Sequence, residues 1–297
     1  MSKFFKGLYT ALITPFNEGE IDYTALAKII SIQAESGVSG IVIAGSTGEG
    51  TTLSDDEYGM LINNARKYVP SNIQLIVGVA ANLPKDATEK AKIAEAMGAD
   101  GLMCVTPYYN KPPQRGLLNY YESIHSNTNI PIIVYVVPSR TGVELEDETI
   151  IQLSRFERIK GFKDSGNDIE RPLRLISRLS PGFSLLSGED RTCLAYSAHG
   201  GSGCVSVASN VIPTLCTEVQ KFLASNNYQS ALNLQSKLMA FYNALFTETN
   251  PMPIKYAASL LGLCLEDVRA PLVNMYDEAK KQKIKTELMH VTRQLAI

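Results

Sequence analysis

The chain has 297 residues, of which 45% are hydrophobic and 20% are charged, the composition of a globular protein with a large buried core. Its 28 basic and 30 acidic residues give a net charge of −2, which excludes a broad basic face for nucleic acid or anionic membrane. Five cysteines without a CxxC pair indicate reduced thiols, and no apolar leader precedes Pro15. We therefore expect a soluble, cytoplasmic protein of one large domain or two.

Eight short apolar runs follow one another along the chain, and most of them precede a segment with helical periodicity. Near-continuous apolar runs are typical of strands that are buried on both faces. They recur roughly every 20 to 35 residues, the spacing of βα units in a parallel sheet. The runs are Leu8–Thr14, Gly40–Ala44, Gln74–Ala80, Gly101–Thr106, Pro131–Val137, Ile159–Lys163, Phe183–Ser187 and Gly203–Ala208. The pattern predicts an α/β fold, a (β/α)8 barrel, with a doubly wound sheet as the alternative.

Helix signals between these runs support the alternation. Ser54 is a good N-cap before an acidic first turn, so a helix is predicted from there to Tyr68. A second helix is predicted over Lys85–Met97, with Gly98 after its last turn. We predict that residues 1–225 form the catalytic barrel. Residues 226–297 contain no convincing strand and are predicted as a C-terminal helical region packed on the barrel.

The active site of such a barrel is formed by the carboxyl ends of the strands and the loops that follow them. Lys163 lies at the end of the sixth run, where alternation places it on one face with Ile159 and Gly161. Desolvation lowers the pKa of an amine, and a free amine can attack a carbonyl carbon. The alternative is a structural lysine paired with Asp164 or Glu189.

The neighbouring fifth run contributes two further candidates. The phenol of Tyr135 is able to move protons, although a tyrosine in this place can equally be a barrel-filling aromatic with its hydroxyl on a backbone carbonyl. Arg140 offers a planar fork that suits a carboxylate, and its alternative is an exposed loop charge.

Glycine-rich segments are candidates for anion binding, and histidines are candidates for metal binding. Gly45–Gly50 matches no nucleotide-binding motif, and we expect Glu49 to hold this loop in place rather than to act as an acid. Gly188 and the Gly200-Gly-Ser-Gly203 turn could bind a phosphate group, as the corresponding loops do in some barrels. No metal site is predicted, because the histidines are far apart in the chain: His125, His199 and His290.

Taken together, three motifs resemble the pyruvate-dependent class I aldolase family that includes dihydrodipicolinate synthases and N-acetylneuraminate lyases. They are Gly45-Ser-Thr-Gly-Glu49, Tyr135-x-x-Pro-x-x-x-Gly142 and Gly161-Phe-Lys-Asp164, in the family's order and spacing. Arg140 and Tyr109 are similar to the synthase branch, whereas sialate lyases usually lack them. One difference is Val136, where the family usually has Asn; alternation directs Val136 toward the helix layer.

This resemblance implies a Schiff-base reaction with no other cofactor and no metal. Pyruvate would form an imine with Lys163, and its enamine would attack L-aspartate 4-semialdehyde to give 4-hydroxy-tetrahydrodipicolinate in lysine and diaminopimelate biosynthesis. The proton relay would consist of Tyr135, Thr47 or Ser46, and Tyr109. In the family this last tyrosine is lent across a subunit interface, so a homodimer or homotetramer is expected.

The resemblance also implies the groups that bind ligands. Arg140 would hold the semialdehyde carboxylate, and Thr47 and the backbone at Val205 would seat the pyruvate carboxylate. Gly188 is a further substrate-binding residue. A possible allosteric site for L-lysine would involve Asn82, Asp86, Tyr108, Thr51 and Asp55.

The sequence is compatible with three alternative functions. The first is another pyruvate-dependent aldolase or dehydratase of the same family, such as a sialate or sugar-acid lyase. The others are a phosphate-binding barrel isomerase and a non-catalytic relative that binds a keto acid or a protein partner.

Overall fold

A computed structural model describes residues 4–166 and 168–293. Residues 1–3 and 294–297, at the two ends of the predicted barrel and helical region, lie outside the described residues. Eight parallel strands close into a barrel in which each strand pairs with its neighbours in the chain and β1 also pairs with β8. The strands are β1 Gly7–Ala11, β2 Gly40–Ile43, β3 Gln74–Val79, β4 Gly101–Val105, β5 Ile132–Val136, β6 Ile159–Asp164, β7 Ser184–Ser187 and β8 Gly203–Ser206. The predicted (β/α)8 barrel is confirmed.

Twelve α-helices in the described residues surround the barrel or follow it. They are α1 Tyr23–Glu35, α2 Asp55–Tyr68, α3 Pro84–Ala96, α4 Gln114–His125, α5 Pro138–Thr141, α6 Asp147–Leu153, α7 Arg171–Leu175, α8 Cys193–Ala198, α9 Pro213–Ala224, α10 Tyr228–Ala244, α11 Met252–Leu260 and α12 Glu278–Arg293. Ser54 caps α2 as predicted and forms a capping box with Glu57. In the part of the chain that is described, no helix is long and apolar enough to cross a membrane.

Every predicted run overlaps one barrel strand, and the largest difference is at β1. This strand ends at Ala11 rather than Thr14, because the residues beyond Leu12 are held by hydrogen bonds that involve side chains rather than by a neighbouring strand. The Ile13 N–H donates to Asn210 Oδ1 at 3.0 Å, and Thr14 Oγ1 donates to the Gly48 carbonyl at 2.7 Å. A short hairpin, Phe16–Asn17 with Glu20–Ile21, then follows and was not predicted.

Alternation along the strands divides the core into two parts. Inward-facing side chains fill the barrel interior, and Tyr135 belongs to this group. Outward-facing side chains pack against the helices, and this layer includes Val134 and Val136. Val136 therefore points away from the barrel interior, as predicted.

The C-terminal helices extend the helical layer. Helix α10 packs against α9 and α12, and α11 packs against α12. Between residues 226 and 293 the structure describes helices and loops and no strand. The turn between α10 and α11 carries Asn250 and the cis peptide to Pro251, and it reaches the carboxyl ends of the strands.

Candidate active site

The carboxyl ends of the strands enclose a cavity of about 690 Å³. Loops after several strands contribute to its wall, and the turn before α11 adds a part from the C-terminal helices. The cavity brings together six of the predicted site residues: Ser46, Thr47, Tyr135, Arg140, Lys163 and Gly188. This position is where barrel enzymes hold their chemistry.

Lys163 and Tyr135 lie side by side on β6 and β5. The two residues are register partners, and Lys163 Nζ is 3.9 Å from the centroid of the Tyr135 ring. Lys163 is 5% exposed and forms no salt bridge with any residue that the structure describes. The ion-pair alternative is wrong, because Asp164 binds Arg171 at 3.1 Å and Glu189 pairs with its neighbour Arg191 at 2.7 Å.

The environment of Tyr135 favours loss of its phenol proton. Burial alone raises the pKa of a phenol, because it disfavours the charged form. The charge of Lys163, hydrogen bonds from the hydroxyls of Ser165 and Ser46, and the more distant Arg140 outweigh burial. They lower the pKa of Tyr135 below its usual value of 10. A phenol of this kind exchanges protons more readily than an ordinary buried tyrosine.

Gly188 allows the loop after β7 to approach the lysine. A β-carbon at this position would lie 2.0 Å from Ser165 Oγ and 2.9 Å from Lys163 Cε. Neither distance is compatible with a side chain, so the glycine is required for the close packing of these three residues.

The loop after β2 is fixed by a buried ion pair. Glu49 is 3% exposed, and its carboxylate binds Lys255 Nζ from α11. The same carboxylate accepts a hydrogen bond from the backbone N–H of Arg269 at 2.8 Å. Glu49 therefore holds the loop in place, as predicted, and the loop in turn presents Ser46 and Thr47 to the cavity.

Asn250 is a residue that the sequence did not single out for this site. Its side-chain amide donates to Thr47 Oγ1 at 2.9 Å, and its carbonyl accepts from Arg140 Nη2 at 2.7 Å. Asn250 thus joins two predicted site residues that come from different loops. It lies in the Asn250-Pro-Met-Pro253 segment that leads from α10 into α11, and its distance of 203 residues from Thr47 gave no local sign of these contacts.

Two predicted residues do not line this cavity. Tyr109 is 88% exposed and has a φ of 72°, which few non-glycine residues adopt. Val205 is buried inside the barrel, and Val207 lines the cavity instead. A second cavity, of about 350 Å³, lies beside Tyr135 and Arg140.

Four of the five predicted allosteric residues line a third cavity of about 350 Å³: Thr51, Asn82, Asp86 and Tyr108. Asn82 Oδ1 accepts a hydrogen bond from the backbone N–H of Tyr108 at 2.8 Å, and this bond fixes one side of the third cavity. Asp55 does not line this cavity, and its carboxylate lies 3.4 Å from Lys90 Nζ. Lys90 does line the cavity, and it was missed from the sequence.

The histidines contribute to no metal-binding group among the described residues. His199 Nδ1 lies 2.7 Å from the Ile169 carbonyl, a contact that joins two loops. Within residues 4–166 and 168–293, no group of three or more His, Cys, Asp or Glu side chains is arranged to hold a metal ion.

The fold and the site define a (β/α)8-barrel enzyme with a buried lysine at its mouth. The chain matches the dihydrodipicolinate synthetase family over residues 4–290. It is 46% identical over 282 residues to the 4-hydroxy-tetrahydrodipicolinate synthase of Rickettsia bellii (strain RML369-C), covering 95% of this chain and 96% of that protein. The chain therefore belongs to the dihydrodipicolinate synthetase family, which confirms the resemblance.

Solved structures agree with this relationship. The dihydrodipicolinate synthase from Aquifex aeolicus is 37% identical with a TM-score of 0.94, covering 97% of this chain and 98% of that one. The 4-hydroxy-tetrahydrodipicolinate synthase from Methylacidiphilum fumariolicum SolV is 35% identical with a TM-score of 0.95, covering 98% of this chain and 97% of that one. The likeness extends over almost the whole chain, including the C-terminal helices.

Proposed function

We propose that this chain is a cytoplasmic lyase that condenses pyruvate with L-aspartate 4-semialdehyde to give 4-hydroxy-tetrahydrodipicolinate, in lysine and diaminopimelate biosynthesis. The observation that carries this proposal is Lys163, a buried amine beside Tyr135 at the mouth of the barrel that forms no salt bridge with any described residue. The 4-hydroxy-tetrahydrodipicolinate synthases among its relatives support the choice of reaction.

The reaction begins when Lys163 Nζ attacks the keto carbon of pyruvate. A C–N bond forms, water leaves, and the resulting imine loses a proton from its methyl group to become an enamine. The enamine carbon attacks the aldehyde carbon of the semialdehyde. The amine of the semialdehyde then displaces Lys163 from the imine carbon and closes the ring, which restores the free lysine. The covalent imine serves in place of a cofactor.

Proton transfer is assigned to Tyr135 with Ser46 and Thr47. The lowered pKa of Tyr135 suits a group that first gives and then accepts a proton. The amide of Asn250 donates to Thr47 Oγ1, so the proton of that hydroxyl remains available for donation. Thr47 thus has the donor capacity that a relay or a carboxylate ligand needs.

Carboxylate binding is assigned to two sides of the cavity. Arg140 uses one Nη2 hydrogen for Asn250, and its other guanidinium donors are left for the semialdehyde carboxylate. Thr47, the backbone at Val205, and Gly188 are assigned to pyruvate. Gly188 and Thr47 line the cavity, whereas Val205 lies deeper in the barrel.

We further propose a homodimer or homotetramer in which Tyr109 enters the site of a neighbouring subunit. Its 88% exposure supports this role, because a large aromatic side chain in water gains from burial at an interface. The second cavity beside Tyr135 is where such a side chain would be received. Tyr109→Phe should lower kcat and leave the oligomer intact in analytical ultracentrifugation; unchanged kcat would remove Tyr109 from the relay.

L-Lysine is the proposed ligand of the third cavity, where Asp86 offers a carboxylate. Lys90 places a competing ammonium in the same cavity, so we expect inhibition only at high lysine concentration. Lys90→Ala should lower the concentration for half-inhibition. Flat activity of both proteins across millimolar lysine would exclude this regulation.

We also propose that residues 226–297 act as part of the catalytic unit and pack on the barrel of residues 1–225. Two contacts support this proposal. Asn250 forms hydrogen bonds with Thr47 and Arg140 of the barrel, and Lys255 forms an ion pair with Glu49.

Borohydride trapping with pyruvate tests the proposed function. The wild-type chain is reduced in the presence of pyruvate, and intact-mass and peptide spectrometry locate the adduct. The matched control is Lys160→Ala, which removes a half-buried lysine of the same strand that does not line the cavity. We expect a pyruvyl adduct on wild type and Lys160→Ala and none on Lys163→Ala. No adduct on folded wild-type protein would overturn the proposal.

A further inference from the structure

A buried carboxylate joins the loops that follow β7 and β8. Asp190 is 3% exposed, and its Oδ2 accepts the N–H groups of Val207 at 2.9 Å and Ala208 at 3.1 Å. Its backbone carbonyl accepts from Gln235 Nε2 of α10 at 2.7 Å. Asp190 is thus anchored from outside the barrel while its side chain holds the neighbouring turn.

Hydrogen-bond donors, rather than a paired cation, surround the Asp190 carboxylate in the described part of the chain. Asp190 forms no salt bridge with any lysine, arginine or histidine of residues 4–166 and 168–293. Burial raises the pKa of this carboxyl, against the hydrogen bonds from Ser206 and the two backbone N–H groups. A buried carboxylate is costly unless it is fully hydrogen-bonded, so its geometry relative to these donors is constrained.

The two loops that Asp190 joins form adjacent parts of the cavity wall. Gly188 lies two residues before it and packs against Lys163 Cε. Val207, whose N–H is bound, lines the same cavity. Arg140 enters the cavity from α5, after β5, which is two strands away from β7. The contacts of Asp190 therefore act on the side of the cavity around Lys163.

We infer that Asp190 is a positioning residue for the proposed reaction, which sets the wall of the pyruvate site by holding the turn at Val207 and Ala208 against the loop of Gly188. The inference rests on the proposed function, because it assigns pyruvate to this side. Loss of the carboxylate leaves two buried N–H groups without an acceptor, so the turn moves to find water. The wall around the imine is then displaced, while the semialdehyde site at Arg140 is retained.

Two variants of Asp190 and one control test this inference. Asp190→Ala removes the acceptor, whereas Asp190→Asn keeps an amide oxygen that can accept the same N–H groups. The control is Asp100→Ala: the Asp100 carboxylate also accepts a strand N–H, from Leu75 at 2.7 Å, but at the amino ends of the strands. Steady-state kinetics with each substrate and borohydride trapping at subsaturating pyruvate are measured for all four proteins.

We expect Asp190→Ala to raise the KM for pyruvate by about tenfold or more and to lower trapping at subsaturating pyruvate. The KM for the semialdehyde should stay within about twofold, since its site is not displaced. Asp190→Asn should recover part of the pyruvate affinity, with a KM about threefold above wild type, because a neutral amide oxygen is a weaker acceptor than a carboxylate. Asp100→Ala should lose stability with both KM values unchanged.

An unchanged pyruvate KM in folded Asp190→Ala would overturn the inference, as would an equal rise in the KM values of both substrates. If Asp190→Ala does not fold, Asp190→Asn decides: a pyruvate KM raised about threefold, with the semialdehyde KM unchanged, supports the inference, and wild-type values overturn it. Failure of the proposed function would be seen in a different measurement, because folded wild-type protein would then give no pyruvate adduct.

Discussion

Replacement of Gly188 by alanine should impair the reaction while leaving the fold intact. The added methyl would lie 2.0 Å from Ser165 Oγ, 2.9 Å from the Asp164 carbonyl oxygen and 2.9 Å from Lys163 Cε. The serine can rotate away, but it then no longer supports the lowered pKa of Tyr135. The backbone carbonyl cannot rotate, so the lysine side chain or the whole loop must shift by several tenths of an ångström.

The size of the effect follows from these contacts. Overpacking of this kind costs about 1–3 kcal/mol in the free energy of unfolding, which a barrel of this size tolerates. Misplacement of a reacting group by about 1 Å costs about a hundredfold in rate, so we expect kcat to fall by about 30- to 100-fold. The strain is steric, because Gly188 does not have a positive φ.

The kcat of Gly188→Ala is measured with a coupled assay for the condensation, and imine formation is measured as the rate of borohydride trapping. Gly59→Ala is the matched control, since a β-carbon at Gly59 would meet nothing within 4 Å. Its kcat should equal that of wild type, and urea unfolding reports the stability of both variants. A kcat of Gly188→Ala within twofold of wild type would refute the packing argument.

Three further predictions concern the contacts around the cavity. Asn250→Ala removes the donor to Thr47 but keeps the backbone acceptor of Arg140, so kcat should fall about five- to tenfold while the semialdehyde KM is unchanged. Lys255→Met leaves the carboxylate of Glu49 buried without its partner and should lower the free energy of unfolding by about 3–5 kcal/mol in urea titrations; a loss below about 1 kcal/mol would contradict this. If the neutral phenol of Tyr135 is the acid, kcat should decline as pH rises through its lowered pKa, below pH 10, and Tyr135→Phe should lack this limb.

The sequence predicted the barrel because its strands are short apolar runs that glycines and polar loops interrupt. Lys163 lies inside the mouth, as the carboxyl-end rule predicted. The predicted shared face with Ile159 is wrong, because the register with β5 shifts between Ile132 and Ile133 and Ile159 packs in the outer layer against the helices. The hairpin after β1 was missed because its strands have only two residues each, too few to show a period.

The missed contacts are those between residues far apart in the chain. Asn250 reaches Thr47 across 203 residues, a pairing that no local pattern encodes. Asp190 follows the seventh run, Phe183–Ser187, by three residues, yet only the closed barrel shows that its carboxylate meets the turn after the next strand. Lys90 lies on the surface of an ordinary amphipathic helix, and its place in a cavity depends on how α3 packs.

The role of Asn250 has a consequence for the order in which the site is completed during synthesis. A nascent chain that has emerged as far as residue 226 already carries all eight strands, including Lys163 and Tyr135. The link between Thr47 and Arg140 is added only when the turn before α11 leaves the ribosome, followed by Lys255, which secures Glu49. Whatever forms earlier during synthesis, the finished mouth has to wait for residues 250–255. A reactive amine is thus enclosed by its binding groups only once nearly the entire polypeptide has been made.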